Sequence, residues 1–306
     1  MNDHLYIRYL THSEIDKNKW DSCIESSTNG LIYAFSWYLD VMSKNWDALV
    51  LNDYEAVMPL TWNKKYGIQY LYQPFLTAQS GVFGNIVTSE TLDVFLKAVP
   101  KKFQFWDFCL NRGNLFSLKD FSLFQRSNFI LNLDKSYPEL YIAYNENIRR
   151  NLKKAEQAGC LIQKNFPVEK VIELASEQMK QFAHNYKDGL ERFKRLYPVL
   201  EQKGMADSYG VFIKEKLLAS CIILNSHQRI YYVLVGNHPD GKNIGASPAV
   251  IDAVIKDHAG KKITLDFEGS DIPGLANFYS SFGSKEEKYT AIRLNRLPFF
   301  LKWLKR

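Results

Sequence analysis

The sequence predicts an α/β protein built from two similar halves. Strand patterns alternate with helix patterns along the 306 residues. The order of these patterns is the same in both halves, and an aspartate stands at the same point of each, Asp107 in the first half and Asp266 in the second. We therefore expect two copies of one unit of about 150 residues.

The first copy is predicted to begin after Asp47. ALVLNDYEAVMPLTW alternates as two strands joined by a turn, and GIQYLYQPF predicts a third strand before the loop TAQSGVFGN. Residues 88–99 place Leu92, Phe95 and Leu96 on one face and predict a helix. The rest of the copy is predicted to be a strand, a short helix and a closing strand, in KFQFWDFCL, NLFSLKDF and SNFILNL.

The second copy repeats this order. A strand pair, a strand, a Gly-containing loop and a helix are predicted in SYGVFIKEKLLASCIILN, RIYYVLVGN, HPDGKNIGAS and PAVIDAVIKDHAG. A strand, a helix and a closing strand follow in KITLDFEGS, IPGLANFYSSFG and YTAIRLN. Ser136 and Glu139 form a capping-box pattern with Pro138 in the first helical turn, so the predicted domains are residues 1–135 and 136–306.

Composition excludes several classes of protein. The four cysteines are far apart with no C-x-x-C pair, and the six histidines show no metal-ligand spacing, so neither a disulfide framework nor a metal site is predicted. The N-terminal residues lack the apolar run of a signal peptide, and no apolar stretch approaches a membrane span, so we expect a cytoplasmic protein. The net charge of +6 suits anionic ligands without identifying one.

The loop GNHPDGKNIGAS is a candidate anion site. Ser247 is the expected N-cap of the next helix and Pro248 its first residue, so backbone N–H groups and the positive helix end should face the loop. Residues 236–243 match the nucleotide-binding pattern G-x-x-x-x-G-K-S/T except at Asn243, which lacks the hydroxyl that binds magnesium. The expected helix also begins several residues after Lys242, so a nucleotide-binding site is not predicted here. An ordinary Gly-containing connection is the alternative.

Two motifs near the C-terminal end resemble the acetyltransferase (GNAT) superfamily. KNIGAS, residues 242–247, resembles the Gln/Arg-x-x-Gly-x-Gly/Ala loop that holds the pyrophosphate of coenzyme A in that family. ANFYSSFG, residues 276–283, resembles the A-x-x-L-Y-x-x-x-G-F helix, whose tyrosine lies near the thioester sulfur. The sequence departs from these patterns at Lys242, Ser247, Phe278 and Ser284.

The GNAT resemblance implies a fold and a donor site. Each half should be a mixed, mostly antiparallel sheet flanked by helices. The residues expected to bind acyl-coenzyme A are Gly241, Lys242, Asn243, Gly245, Ala246, Ser247, Val233 and Val235.

A tandem pair of acetyltransferase-like domains resembles the Fem-type peptidoglycan-bridge aminoacyl transferases. NIRRNLKKAEQAG, residues 147–159, is similar to the basic helix that opens their second domain, and DFEGS, VMPLTW and YLYQPF also resemble that group. The resemblance implies an N-acyltransferase that moves an acyl or aminoacyl group from acyl-coenzyme A or aminoacyl-tRNA to an amine, such as one on a cell-wall precursor. A non-catalytic binding protein on a degenerate acetyltransferase fold is the alternative.

Three residues are candidates for the chemistry. Tyr279 matches the family tyrosine that protonates the leaving thiolate; a buried core tyrosine is the alternative interpretation. Asp266 and Glu268 stand two apart on a predicted strand, so both should face one side, across a cleft from Tyr279. Each is a candidate base or amine ligand, and the alternative is a structural strand end, which Asp107 favours for Asp266.

Basic residues provide candidate substrate contacts. Arg149, Arg150 and Lys153 face outward on the helix predicted at 148–158, and with Tyr232 they are the candidate substrate-binding residues for a phosphate of coenzyme A, a nucleotide-linked sugar or tRNA. A solvated helix face is the alternative. The tail RLPFFLKWLKR, residues 296–306, has the composition of an interfacial membrane helix, although packing onto the domain is the favoured interpretation.

Overall fold

The computed structural model describes residues 6–180, 186–269 and 271–298 and divides into two compact units. Unit 1 takes Met1–Arg126 and Lys288–Arg306, and unit 2 takes Ser127–Glu287. The sequence prediction set the boundary at 135/136 and gave all later residues to the second domain. Most of the predicted C-terminal tail lies outside the described residues.

Unit 1 is a sheet with helices at its faces. Its helices are α1 (Lys17–Ser26), α2 (Ser36–Met42) and α3 (Ser89–Ala98). Its strands are β1 (Ile7–Leu10), β2 (Asn45–Leu51), β3 (Ala56–Lys65), β4 (Ile68–Tyr72), β5 (Phe83–Gly84) and β6 (Phe103–Cys109). Neighbouring strands β1 to β4 are antiparallel, β5 pairs with β3, and β4 and β6 run parallel.

Unit 2 has a sheet with the same alternation of directions. Its helices are α4 (Tyr137–Ile142), α5 (Glu146–Gln157), α6 (Val168–Met179), α7 (Tyr186–Gln202), α8 (Ala246–His258) and α9 (Pro273–Ser280). Its strands are β7 (Leu123–Asn132), β8 (Leu161–Lys164), β9 (Ala206–Ile213), β10 (Lys216–Ser226), β11 (Arg229–Asn237) and β12 (Thr264–Asp266). Strands β8 to β11 are antiparallel neighbours, and β11 and β12 run parallel.

One strand in the sheet of each unit comes from the other half of the sequence. The last strand, β13 (Lys285–Asn295), pairs antiparallel with β6 through residues 291–295. Residues 130–132 of β7 pair antiparallel with β12. Strand β7, predicted to close the first copy, therefore closes the sheet of unit 2, and β13, predicted to close the second copy, closes the sheet of unit 1. This exchange explains why unit 1 includes residues near the C-terminus.

Several helix limits follow from local sequence chemistry. The capping box of Ser136 and Glu139 is confirmed, since the Ser136 backbone N–H donates to Glu139 Oε2 at 3.0 Å. Pro273 opens α9 as predicted. The short helix predicted in NLFSLKDF is wrong, because only a 3-10 turn at Arg112–Asn114 forms there. Asn114 is instead buried, and its Oδ1 accepts the Val82 backbone N–H at 2.7 Å.

Each unit has its own apolar core. In unit 1, α3 and the sheet bury aromatic residues that include Phe95, Phe103 and Trp106. In unit 2, α5, α8 and α9 cover one sheet face with a core that includes Phe267 and Tyr279. Among the described residues, no helix combines the length and apolar character required to cross a bilayer.

Candidate active site

A cleft opens in unit 2 where the two parallel strands separate. Strands β11 and β12 pair only through residues 229–231 and 264–266, and β12 ends there while β11 continues to Asn237. A β-bulge lies in this later part of β11: Ile222 pairs with Val233 but Ser220 pairs with Gly236, and Leu234 has a left-handed φ of 44°. Within the described residues, the later part of β11 thus presents an unpaired edge on the β12 side.

The loop after β11 leads into α8 through a left-handed glycine. Gly245 is the N-cap with φ 79°, and α8 begins at Ala246, so the predicted N-cap Ser247 is wrong by two residues. The reason is steric: a Cβ at Gly245 would lie 2.3 Å from the Asn151 carbonyl oxygen on α5, and only glycine allows this conformation and approach. The first intrahelical bond runs from the Ala249 N–H to the Gly245 oxygen, which leaves the Ala246 and Ser247 N–H groups without an intrahelical acceptor.

A cavity of about 650 Å³ adjoins this loop. Its lining comes from α6, β10, the end of β11 and the segment from the loop into α8. It includes Leu174, Glu177, Gln178, Leu218, Asn237, His238, Pro239, Gly241, Lys242 and Ser247. The end of β11 is tied to α6 because the Asn237 N–H donates to Gln178 Oε1 at 2.7 Å. Of the predicted donor-binding residues, the structure therefore brings Gly241, Lys242 and Ser247 to one cavity.

The other predicted donor-binding residues differ in exposure. Asn243 is exposed on the loop, while Gly245 and Ala246 are buried beneath it. Val233 is buried in β11 and Val235 is half-buried. Asn243 is therefore the only one of these five residues with an exposed side chain. Elsewhere in this segment a ligand would contact the backbone.

The basic helix α5 lies against the loop, since the Asn151 carbonyl contacts Gly245. Arg150 is exposed and its Nη2 donates to Asn147 Oδ1 at 2.9 Å, while Arg149 is half-buried. Lys153 is exposed and lines a different cavity, of about 610 Å³, beside α4 and α8. The structure thus brings α5 to the loop but turns Lys153 to another surface.

Tyr279 lies in an aromatic cluster of unit 2. Its ring stacks on Phe267 with centroids 4.5 Å apart, and Tyr232 meets it edge-on at 6.5 Å. Tyr279 is 6% exposed. Burial raises the pKa of the Tyr279 hydroxyl, and the negative charge of Glu268 raises it further, so this hydroxyl stays protonated at neutral pH.

Tyr232, a predicted substrate-binding residue, is also buried. Its hydroxyl has no hydrogen-bond partner among the described residues. Burial raises the pKa of this hydroxyl as well, with further contributions from Cys221 and Tyr279. A buried hydroxyl without a partner is costly, and beside Tyr279 it leaves a donor available to a bound group.

Asp266 is engaged entirely by other residues of unit 2. Its Oδ2 accepts from Arg229 Nη1 at 2.5 Å, and its Oδ1 accepts from Asn128 Nδ2 at 2.9 Å and from the Glu268 N–H at 2.8 Å. The prediction that Asp266 and Glu268 face one side of a strand is wrong, because β12 ends at Asp266 and strand alternation does not reach Glu268. The expected free catalytic carboxylate at Asp266 is therefore a buried ion-pair member.

Glu268 has a left-handed backbone conformation. Its φ is 67°, which is uncommon for a residue with a side chain, and Gly269 follows with φ 83°. Such strain persists only where the surroundings impose it, and it concentrates at functional sites. Glu268 is half-buried, and its charge acts on the Tyr279 hydroxyl. Of the two predicted carboxylates, Glu268 is thus the one whose charge raises the pKa of Tyr279.

Arg229 and Glu287 complete the network, and the sequence interpretation missed both. Arg229 Nη1 and Nη2 each donate to Glu287 at 2.9 Å. Burial alone would lower the pKa of Arg229, but the hydrogen bonds and charges of Glu287 and Asp266 outweigh burial and raise it. A single cation at the start of the apolar run RIYYVLV was the available signal, because a buried arginine requires an acidic partner.

The comparisons with known proteins bear on the family and the fold. Residues 143–273 match the family described as an acetyltransferase (GNAT) domain. Crystal structures with a similar fold include FemX, with a TM-score of 0.67 and 14% identity, covering 97% of this chain and 99% of that chain. A search of curated proteins finds no match.

Two further solved structures show the same similarity along most of the chain. A conserved protein of unknown function from Bacteroides thetaiotaomicron has a TM-score of 0.61 and 12% identity, covering 94% of this chain and 99% of that chain. L-PGS from Bacillus licheniformis has a TM-score of 0.57 and 12% identity, covering 94% of both chains. At these identities the likeness shows a shared fold.

The predicted fold class is thereby confirmed, and an acyltransferase is the class of enzyme that these findings support. Residues 143–273 thus match the model of a GNAT acetyltransferase domain, and the chain as a whole resembles FemX in fold.

Proposed function

We propose that this protein is an N-acyltransferase that transfers an acyl group from acyl-coenzyme A to a primary amine. The observation that carries the proposal is the coincidence, in unit 2, of three features: the unpaired edge of β11, the left-handed loop that opens α8, and the cavity of about 650 Å³ beside them. A thioester with a pyrophosphate needs each of these, because it has an anionic end, an extended amide-containing arm and a reactive carbonyl.

The residues of the loop fit an anionic ligand. The Ala246 and Ser247 N–H groups stand at the positive end of α8, where phosphate oxygens are favoured. Gly241 lacks a side chain at a point where a Cβ would lie 2.7 Å from the Leu218 carbonyl oxygen. Lys242 is exposed at the cavity rim and adds positive charge. These residues would hold the pyrophosphate, and the free backbone of β11 near Val233 and Val235 would bind the amide-containing arm.

The proposed chemistry requires one acid and one carboxylate. The amine nitrogen forms a bond to the acyl carbon, and the carbon–sulfur bond breaks with its electron pair on sulfur. Tyr279 gives its proton to the sulfur, and Glu268 accepts the proton that the amine releases. The raised pKa of Tyr279 suits an acid that must remain protonated before it acts. No covalent enzyme intermediate is involved.

The acceptor and the alternative donor are further parts of the proposal. The sequence resemblance to the Fem-type transferases, together with the FemX-like fold, favours a cell-wall precursor amine as acceptor and an aminoacyl-tRNA as the alternative donor. The cations of α5 beside the loop would then contact RNA phosphates. Both donors are cytoplasmic compounds, so we place the protein in the cytoplasm. A non-catalytic protein that keeps the fold without donor binding is the competing function.

Ligand-dependent thermal unfolding tests the proposal. A ligand that binds the folded protein raises Tm, by an amount that grows with its concentration over Kd. We expect acetyl-coenzyme A to raise Tm, with charged tRNA and a nucleotide-linked sugar peptide tested in parallel. If charged tRNA alone raises Tm, aminoacyl-tRNA is the donor and the thioester is not. If none of the three compounds changes Tm, the non-catalytic function is the better account.

A further inference from the structure

We propose that Asp266 is a positioning residue that acts through Glu268: it fixes the left-handed turn that sets the Glu268 carboxylate beside the Tyr279 hydroxyl. This inference rests on the proposed function, in which Glu268 and Tyr279 are the proton acceptor and donor. It assigns to Asp266 a role without substrate contact, and it adds Arg229, Asn128 and Glu287 as the residues that hold Asp266 in place.

The hydrogen bonds of Asp266 require a carboxylate. Three N–H donors converge on its two oxygens: Arg229 on Oδ2, and Asn128 with the Glu268 backbone on Oδ1. An amide at this position has only one accepting oxygen. If that oxygen faced Arg229, the amide nitrogen would face two donors, and if it faced Glu268, the nitrogen would face Arg229. Asparagine therefore cannot satisfy all three contacts.

The contact with Glu268 is the one that reaches the candidate site. A residue with a side chain pays conformational strain at φ 67°, and here the Glu268 N–H donates to Asp266 Oδ1 two residues earlier at 2.8 Å. An aspartate that accepts the backbone N–H two residues on forms an Asx-type turn, which directs the chain away from the strand. The turn places Glu268 where strand alternation would not.

The rest of the network keeps Asp266 from moving. Arg229 bonds to both Asp266 and Glu287, and its side chain is 8% exposed. Asn128 donates to Asp266 from β7. Because contacts from β11 and β7 end on one carboxylate, rotation of Asp266 would break several buried hydrogen bonds at once. The network thus holds the turn at Glu268 in a fixed position relative to the sheet.

The groups around the Tyr279 hydroxyl make its titration a report on Glu268. Phe267 and Tyr232 supply aromatic faces and edges, and the charged contribution comes from Glu268. Cys221 is fully buried and burial raises its pKa, so its thiol stays neutral. Burial is the larger cause of the raised pKa of residue 279, and the Glu268 charge adds to it, so displacement of the Glu268 carboxylate should lower this pKa.

The test is the titration of residue 279 in the full chain, without substrate. A difluorotyrosine placed at this position has a lower pKa than tyrosine, and ¹⁹F NMR reports its ionisation. Glu268→Gln should lower its pKa by about 1, because a nearby negative charge is lost. Asp266→Asn should give a similar decrease, and Asp266→Asn/Glu268→Gln should give no further decrease. A titration in Asp266→Asn equal to that of the parent would overturn the inference.

Two further variants complete the test. Asp107→Asn, at the matching position of unit 1, removes an exposed carboxylate and should leave the titration unchanged. If Asp266→Asn does not fold, the double variant Arg229→Gln/Asp266→Asn replaces it. This variant removes one positive and one negative charge, so the network's formal charge is unchanged. The amide oxygen at position 266 can then accept the Glu268 N–H. Its titration should match the parent, and a match to Glu268→Gln would contradict the inference. Since no donor is added, this result is independent of whether acyl-coenzyme A binds.

Discussion

The two units differ most at the point where their parallel strands separate. In unit 1, residues of the chain itself span the gap beyond β4 and β6: Gln73 Oε1 accepts the Cys109 N–H at 2.7 Å, and Ser80 exchanges backbone bonds with Cys109 and Asn111 at 3.0 and 2.7 Å. In unit 2, β11 and β12 separate into a cleft with a cavity beside it. The same strand order therefore produces a filled cleft in one unit and an open cleft in the other.

The matched aspartates show the same contrast. Each is paired in the parallel register with a tyrosine, Asp107 with Tyr72 and Asp266 with Tyr231. Asp107 is 46% exposed in its side chain and meets Arg293 at 3.2 Å. Asp266 is 4% exposed and accepts three hydrogen bonds. Equivalent positions in the two units thus differ in burial and in hydrogen bonding. We expect the buried aspartate to contribute more to stability.

The largest expected effect comes from removing the cation of the buried pair. Arg229→Met should lower the free energy of unfolding by about 3–5 kcal/mol, because the buried Asp266 and Glu287 carboxylates lose the cation that pairs with both. Chemical denaturation with urea measures this change. The matched substitution Arg293→Met in unit 1 removes an exposed pair and should cost about 0–1 kcal/mol. Equal losses in the two variants would contradict the contrast between the aspartates.

Substitution of Tyr279 tests whether this residue acts as the general acid in the cleft of unit 2. Tyr279→Phe should lower kcat by about 100-fold, because a general acid is lost, while Tm changes little. Tyr209→Phe is the control: it removes a hydroxyl that donates to Asp257 at 2.9 Å, so Tm should fall and kcat should not. If Tyr279→Phe lowers Tm and leaves kcat intact, Tyr279 is a core residue.

The loop glycine provides a third comparison. Gly245→Ala should destabilise the protein by about 2 kcal/mol or more, since it adds backbone strain at φ 79° and a clash with the Asn151 carbonyl. Gly159→Ala has a similar φ of 74° with no atom near the new Cβ, so it should cost about 1 kcal/mol. Equal unfolding midpoints for the two variants would mean that α5 does not press on the loop.

The smallest expected effect is a dependence of stability on pH. Burial first, and the charges of Lys261 and Lys164, lower the pKa of His258 below its ordinary value of 6.5, against a hydrogen bond to the Val254 carbonyl. Below pH 6.5 the unfolded chain binds a proton that the folded protein does not, so the free energy of unfolding falls as pH falls. His258→Leu should flatten urea midpoints measured between pH 7 and 5.5. An unchanged slope would remove His258 as the cause.

The fold was largely predictable because its signals are local. The alternation around Asp107 and Asp266, the Ser136 capping box and Pro273 each report on a few neighbouring residues, and all three features appear in the structure. The exchange of β7 and β13 was not predictable, because each strand carries an alternating pattern that suits either sheet. Pairing across more than a hundred residues leaves no trace in such a pattern.

The candidate site was predicted only in part. Gly241, Lys242 and Ser247 were identified from a motif and do line one cavity. The N-cap at Gly245 was missed because it depends on the approach of α5, which is a tertiary contact. Arg229 is the other omission: its partner Glu287 lies 58 residues away, and nothing local in either segment indicates the pairing.

Hydrogen exchange with and without saturating acetyl-coenzyme A tests most directly the claim that only the cleft of unit 2 accepts a donor. The account predicts slower exchange at residues 233–247, where the β11 edge and the α8 loop would bind the ligand, and unchanged exchange at residues 73–84, which span the gap in unit 1. Slower exchange at 73–84 with none at 233–247 would contradict it.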